Sequence, residues 1–254
     1  MVSETIYDKH FQFYLEFVDR NLADENGLWH VLLSRFKEIL GDRLRGARVC
    51  DIACGEGYLS RFLAQFGSQE VIGIDISAAL IDVAIQRRNA PNLSYRVDDA
   101  QQLRTFSDAS IDIVASQLAI MDIPDHRALF RSVRRVLRPG GVFVFSLLHP
   151  CFETPFQAPD ESPFLVNENG SAIAYVVRRY TKEGFWQSGG TGVRGHMGAY
   201  HRTLSTLLND VLEGGFLLEK LDEPVVEGRG LFSQVPQSLL IVGRVPESRS
   251  AFAS

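Results

Sequence analysis

The segment Asp51-Ile52-Ala53-Cys54-Gly55-Glu56-Gly57 gathers residue types that can hold a nucleotide-like ligand. Glycines let backbone N–H groups approach a ligand closely, where a Cβ would stand in the way. A second acid, Asp75, lies 24 positions beyond Asp51. An acid at about this spacing accepts hydrogen bonds from ribose hydroxyls at doubly wound nucleotide sites. Together the two features point to an adenosine-containing ligand.

The turn narrows the choice. A nicotinamide dinucleotide asks for G-x-G-x-x-G, with a helix N-terminus facing the pyrophosphate. Here Tyr58 follows the second glycine, and Ser60 stands where the third would be. The Asp51 carboxylate, just before the turn, would repel a pyrophosphate but receive a charged amine. Such an amine is carried by the methionyl end of S-adenosylmethionine.

These residues need a strand before them and a helix after, and the pattern supplies both. Residues 48–53, 71–75, 93–97, 111–116 and 142–148 read as short, near-continuously apolar strands. Helices are expected over 58–65, 77–88 and 125–137, with Ser77 as an N-cap and Pro139-Gly140-Gly141 as a breaker. Strands alternating with helices, and apolar on both faces, indicate a parallel sheet covered on both sides. Residues 8–40 carry helical spacing. Further on, 204–213 reads as a helix, and 216–221 and 238–242 as strands that pair at one sheet edge. Between 149 and about 200 the periodicity collapses into an irregular stretch with many aromatics. Such long loops are commonly functional.

Five stretches, VCDIACGEG, VIGIDIS, VDDAQQL, SIDIVASQLAIM and RVLRPGG, come in order over about residues 46–148. In this the chain resembles the class I S-adenosylmethionine-dependent methyltransferases, in the small-molecule (methyltransferase type 11-like) subgroup. The resemblance implies a Rossmann-like α/β fold with a doubly wound, mostly parallel seven-stranded sheet. The helical spacing of the N-terminal segment, 1–45, leaves two readings open, a lid segment or helices that only pack on the domain. The methyltransferase domain spans 46–254, with an insertion at 149–203 that caps the substrate. The resemblance assigns Asp51 to the methionine amine and Ala53, Gly55 and Gly57 to backbone contact with the cofactor. Asp75 goes to the ribose, Ile76 to the adenine face, and Asp99 and Ala100 to the adenine edge. Ser116 and Gln117 fall beside the methionine and methyl group. Alanine at position 53 departs from the glycine of many relatives. Ala119 and Ile120 stand in the stretch where many relatives carry a histidine, so no base is expected there.

Methyl transfer is an in-line displacement at a sulfonium carbon, and the protein's part is to hold the acceptor and exclude water. A base is needed only where the acceptor must lose a proton. His149, directly after the fifth strand, is the first candidate, since ligands bind at the carboxyl ends of such strands. Tyr180, His196 and His201, with Tyr200, are weaker ones. Phe152, Phe164, Tyr175 and Trp186 are the expected lining of an acceptor pocket.

Composition excludes other classes. Hydrophobic residues make up 45% and charged residues 22%, which is ordinary globular composition. A net charge of −5 speaks against nucleic acid or anionic membrane as a partner. No stretch is long enough to span a bilayer, and MVSETIYDKH lacks the apolar run of a secretory leader. Three cysteines without metal or redox spacing fit a reducing cytoplasm, and no metal constellation is evident. Monomer and homodimer both stay open. A non-catalytic subunit on the same fold, or an oxidoreductase, are the alternatives to a small-molecule methyltransferase.

Overall fold

Along the central strands, apolar residues alternate between two faces of one sheet, and each face receives its own helices. The computed structural model describes residues 5–158, 161–228 and 230–247. The chain opens with α1 (Ile6–Lys9), α2 (Phe11–Ala23) and α3 (Leu28–Leu40). There follow β1 (Arg48–Ile52), α4 (Tyr58–Leu63), β2 (Glu70–Asp75), α5 (Ala78–Gln86), β3 (Leu93–Val97) and β4 (Ile111–Gln117). Next come α6 (His126–Val136) and β5 (Leu137–Leu148).

Strands β1 to β5 run parallel in the pairs β1–β2, β2–β3, β1–β4 and β4–β5. The sheet is completed by β10 (Leu217–Asp222) and β11 (Ser238–Arg244), which lie after α8 (Leu204–Glu213). β11 runs antiparallel to both β5 and β10. The order is β10-β11-β5-β4-β1-β2-β3. The winding reverses between β1 and β4, and the glycine turn leaves β1 at that switch point, where open α/β sheets bind ligands.

Val49, Val142, Val144, Leu240 and Val242 face one side and pack with Leu32, Phe36 and Leu40 of α3. Cys50, Phe143, Phe145 and Ile241 face the other, against Phe130 and Val133 of α6 and Val211 of α8. Burying each such aliphatic or phenyl group stabilises the fold by roughly 1.5–3 kcal/mol.

Two expectations need correction. The Pro139-Gly140-Gly141 cluster ends α6 but does not stand outside the sheet: β5 begins at once, at Leu137. Leu137 pairs with Ile111, the register then slips, and pairing resumes at Val142 with Ile113. The Gly140 N–H donates to Val245 O at 3.1 Å, so the bulge keeps its backbone partners. The insertion is also more regular than its composition suggests. It holds the hairpin of β6 (Phe164–Val166) and β7 (Ala172–Tyr175) and a second hairpin of β8 (Gly184–Trp186) and β9 (Ala199–His201). The short α7 (Val193–His196) lies between the strands of the latter. Short strands of this kind carry no period that a sequence pattern can reveal. The expected helices over 8–40 and the closing strand pair are present. The ends of the expected segments, 1–4 and 248–254, lie outside the described residues.

Candidate active site at the carboxyl edge of the sheet

The turn after β1 depends on its glycines. Gly55 and Gly57 take φ of +55° and +88°. A Cβ on Gly57 would lie 2.3 Å from the Tyr95 hydroxyl, which donates to Gly57 O at 3.2 Å. Asp75, at the end of β2, reaches across to this turn. Its Oδ2 accepts the Gly55 N–H at 2.8 Å, and its Oδ1 accepts the Ser77 N–H at 2.9 Å. Each oxygen keeps a further acceptor position. Ser77 caps α5 as expected, its Oγ accepting the Leu80 N–H.

Asp51 lies beneath the turn, with its Oδ2 accepting the Ser60 hydroxyl at 2.5 Å. It makes no ion pair with Arg48, which pairs with Glu70 instead. Burial pushes the Asp51 carboxyl up to about 7, and burial likewise raises Asp75 to about 6. Two adjacent strand ends thus hold carboxylates whose charge is costly without a cation. Glu56, inside the turn, is different. It is fully buried, yet it accepts two bonds from Arg61, at 2.9 and 2.8 Å, and one from Arg87 at 3.0 Å. Arg87 continues to Asp19 on α2, so the turn is tied to the N-terminal helices.

Beyond Asp75, Ile76 lies 41% exposed, an apolar side chain open at the strand end. Asp98 is consumed in its own loop, accepting from Asp99 N, Thr105 N and Thr105 Oγ1. Asp99 accepts from Gln101 and Gln102, and the adjoining Ala100 is buried. The Ser116 hydroxyl turns back to Ile52 O at 3.1 Å, joining β4 to β1. Gln117 is buried, and neither amide atom has a partner. Ala53 and Leu118, at the ends of β1 and β4, both hold φ above +50° without being glycine. Such strain gathers at ligand sites.

A cavity of about 390 Å³ opens beside this edge. It is lined by Gln117, Leu118, Met121 and Asp122 at and after the end of β4, by Tyr7, Tyr14, Phe17 and Trp29 of the N-terminal segment, and by Val193 and Arg194 of the insertion. Tyr14 comes within 3.3 Å of where a Gly55 Cβ would be, so the cavity adjoins the turn. The aromatic lining therefore comes from the first helices. The residues expected to supply it stand elsewhere: Phe152 packs on His149, Phe164 on Tyr175, and Trp186 is buried in the core.

The candidate bases are placed as follows. His149 is buried, its Nδ1 accepts the Cys151 N–H at 3.2 Å, and its Nε2 meets Glu223 at 2.8 Å. Both ring nitrogens are thereby committed to fixing a turn, outside the cavity wall. Tyr180 Oη accepts the Leu204 N–H, and His201 Nε2 meets Tyr180 O, both at 2.8 Å. They join the insertion to the start of α8. The His196 ring packs on those of His10 and Phe13. Tyr200 packs on Phe185. The groups that do reach the cavity, Tyr7, Tyr14, Asp122 and Arg194, carry no local motif. Only the packing of α1, α2 and α7 over β4 brings them there. Among the described residues, no group of three or more His, Cys, Asp or Glu side chains is disposed to hold a metal ion.

Comparison with known proteins bears on the family and the fold. Residues 50–145 match the methyltransferase domain family. The chain is 36% identical over 135 residues to the "Probable phthiotriol/phenolphthiotriol dimycocerosates methyltransferase 2" of Mycobacterium ulcerans, covering 52% of this chain and 50% of that one. It is 35% identical over 108 residues to a ubiquinone biosynthesis O-methyltransferase of Xanthomonas oryzae, covering 42% and 45%. The matches thus span about half the length of these relatives. The solved structure of an S-adenosylmethionine dependent methyltransferase from Mesorhizobium loti superposes with a TM-score of 0.71 at 26% identity, over 83% of this chain and 96% of that one. Residues 50–145 are a methyltransferase domain, and the chain carries the fold of the class I S-adenosylmethionine-dependent methyltransferases.

Proposed function

We propose that the chain transfers the methyl group of S-adenosylmethionine to an O, N or C atom of a small-molecule acceptor. The observation that carries this reading is the Asp75–Gly55 pair at the switch point, beside a partly apolar cavity. The residues fit the methyl donor. Asp75 keeps acceptor positions for ribose hydroxyls, and Ile76 offers an apolar face to adenine, with Asp99 and Ala100 at its edge. Ala53, Gly55 and Gly57 offer backbone, and the buried Asp51 favours a cationic amine above it. Gln117 and Ser116 stand nearest the methyl end, and the two unpartnered amide atoms of Gln117 accommodate a polar ligand. When bound, the donor supplies an activated methyl on a good leaving group. The protein's own work is then to hold the acceptor in line and exclude water.

Segment 1–45 acts as a lid and 149–203 as a cap on the domain spanning 46–254. The contacts of Tyr7 with Asp122 and of His196 with His10 and Phe13 support this, since they join lid, sheet edge and cap over the cavity. Among the described residues no helix is long and apolar enough to cross a membrane. A cytoplasmic enzyme that requires neither nucleic acid nor a metal is the matching picture. The test is incubation with S-adenosylmethionine and panels of phenols, amines and enolisable ketones. Acceptor-dependent release of S-adenosylhomocysteine is expected. Stoichiometric cofactor binding without any such release would turn the reading to a non-catalytic subunit.

A further inference from the structure

Three segments far apart in the chain meet at one carboxylate in the cavity. Asp122 follows β4, Tyr7 comes from α1, and Arg194 from α7. The Tyr7 hydroxyl donates to Asp122 Oδ2 at 2.8 Å, while Arg194 Nη1 pairs with Oδ1. Arg194 is itself held by Gly198 O at 2.8 Å. The Asp122 side chain is only 16% exposed, and it lines the cavity with both partners. Glu153 acts across the ion pair from the cap, and Tyr14 is the other ionisable group facing Asp122. Burial holds the Asp122 carboxyl above its ordinary value, against the pull of Arg194 and Tyr7. A buried ion pair adds little net stability, because desolvation offsets the attraction. Its place in the cavity lining puts the carboxylate beside whatever the cavity holds. The oxygens of Asp122 still have acceptor capacity beyond their present bonds.

We propose that Asp122 takes the proton of a hydroxyl acceptor during methyl transfer, with Arg194 and Tyr7 holding the carboxylate in place. This rests on the methyl-transfer reading above. A lone pair of the acceptor oxygen forms the new O–C bond. The C–S bond breaks, its electron pair stays on sulfur as a neutral thioether, and the acceptor proton goes to Asp122. The sulfonium charge and the carboxylate charge disappear together, and the Arg194 guanidinium, no longer facing an anion, keeps its bond to Gly198 O. A neutral amine attacks without prior loss of a proton, so a fixed carboxylate chiefly benefits a hydroxyl.

The test uses Asp122→Asn, which keeps an oxygen for Arg194, and Tyr7→Phe, which keeps the ring. Both are expected to bind S-adenosylhomocysteine with wild-type affinity by calorimetry. Turnover is then followed along a series from phenol to 4-nitrophenol. Asp122→Asn should lose about 10²–10⁴-fold in kcat on phenol, and progressively less as the phenol becomes more acidic. Tyr7→Phe should show the same trend with a smaller loss. A binding readout needs no turnover: 4-nitrophenol, bound together with S-adenosylhomocysteine, should ionise at lower pH in Asp122→Asn than in wild type, because the neighbouring negative charge is gone. An equal loss along the whole series, an unchanged nitrophenol titration, loss of S-adenosylhomocysteine binding by the variants alone, or methylation of amines but no phenol would each overturn the proposal. Failure of the wild-type protein to bind S-adenosylhomocysteine would instead overturn the methyl-transfer reading beneath it.

Discussion

Asp75 at the end of β2 accepts the Gly55 N–H at 2.8 Å, so one carboxylate fixes the glycine turn of the neighbouring strand. That carboxylate is proposed to serve the ribose as well. Asp75→Ala should therefore weaken S-adenosylhomocysteine binding by two routes, a lost ligand bond and a loosened turn. A hydrogen bond to a charged group contributes roughly 1.5–3 kcal/mol, so calorimetry should show a loss of about tenfold to a hundredfold. Unchanged affinity would remove Asp75 from the site.

The two raised carboxyls give a pH dependence of definite sign. Asp51 and Asp75 bind protons more tightly folded than unfolded, with folded values of about 7 and about 6 against 3.8. Their unfavourable contribution is absent below 3.8 and fully present above about 7. The cofactor-free protein should thus lose stability from this pair as pH rises through that window. Melting curves of wild type and an Asp51→Asn/Asp75→Asn variant check it: the difference in Tm between them should widen towards neutral pH in favour of the variant. A constant difference would mean that neither carboxyl is raised.

Backbone strain around the turn yields a contrast between two substitutions. Gly57→Ala meets both a φ of +88° and the Tyr95 hydroxyl. It should cost at least about 1–2 kcal/mol from the backbone alone. Ala53→Gly relieves a φ of +51°. After the greater chain entropy of glycine is counted, it should be neutral or stabilising by about 0–1 kcal/mol. Urea denaturation of the two variants measures both. A destabilised Ala53→Gly would contradict the strained turn.

The fold was largely legible because its core strands are buried on both faces and leave an unmistakable apolar rhythm. Asp51, Gly55 and Asp75 were legible because their spacing is fixed by one strand-turn-helix-strand unit. The cavity was not. Tyr7, Asp122 and Arg194 come together through packing across more than 70 positions, which no local pattern encodes. The Pro139-Gly140-Gly141 bulge misled for a related reason: breaker residues stop a helix, but a neighbouring strand can still satisfy their backbone groups.

His149 is the opposite case, a chemically attractive residue at an attractive place whose ring nitrogens are both engaged. With Cys151 N and Glu223 on its two nitrogens, it secures the exit from β5. His149→Ala should lower stability by about 1–3 kcal/mol through the lost bonds. The pH profile of kcat should keep its shape. A flattened profile with unchanged melting would restore the histidine as the base.

The carboxyl edge of β1 and β2 is proposed to hold S-adenosylmethionine. Calorimetric titration of the purified protein with S-adenosylmethionine and, separately, with S-adenosylhomocysteine tests it most directly. Saturable binding of each at one site per chain is expected, lost or weakened in Asp75→Ala. Binding of neither ligand by the folded wild-type protein would contradict it.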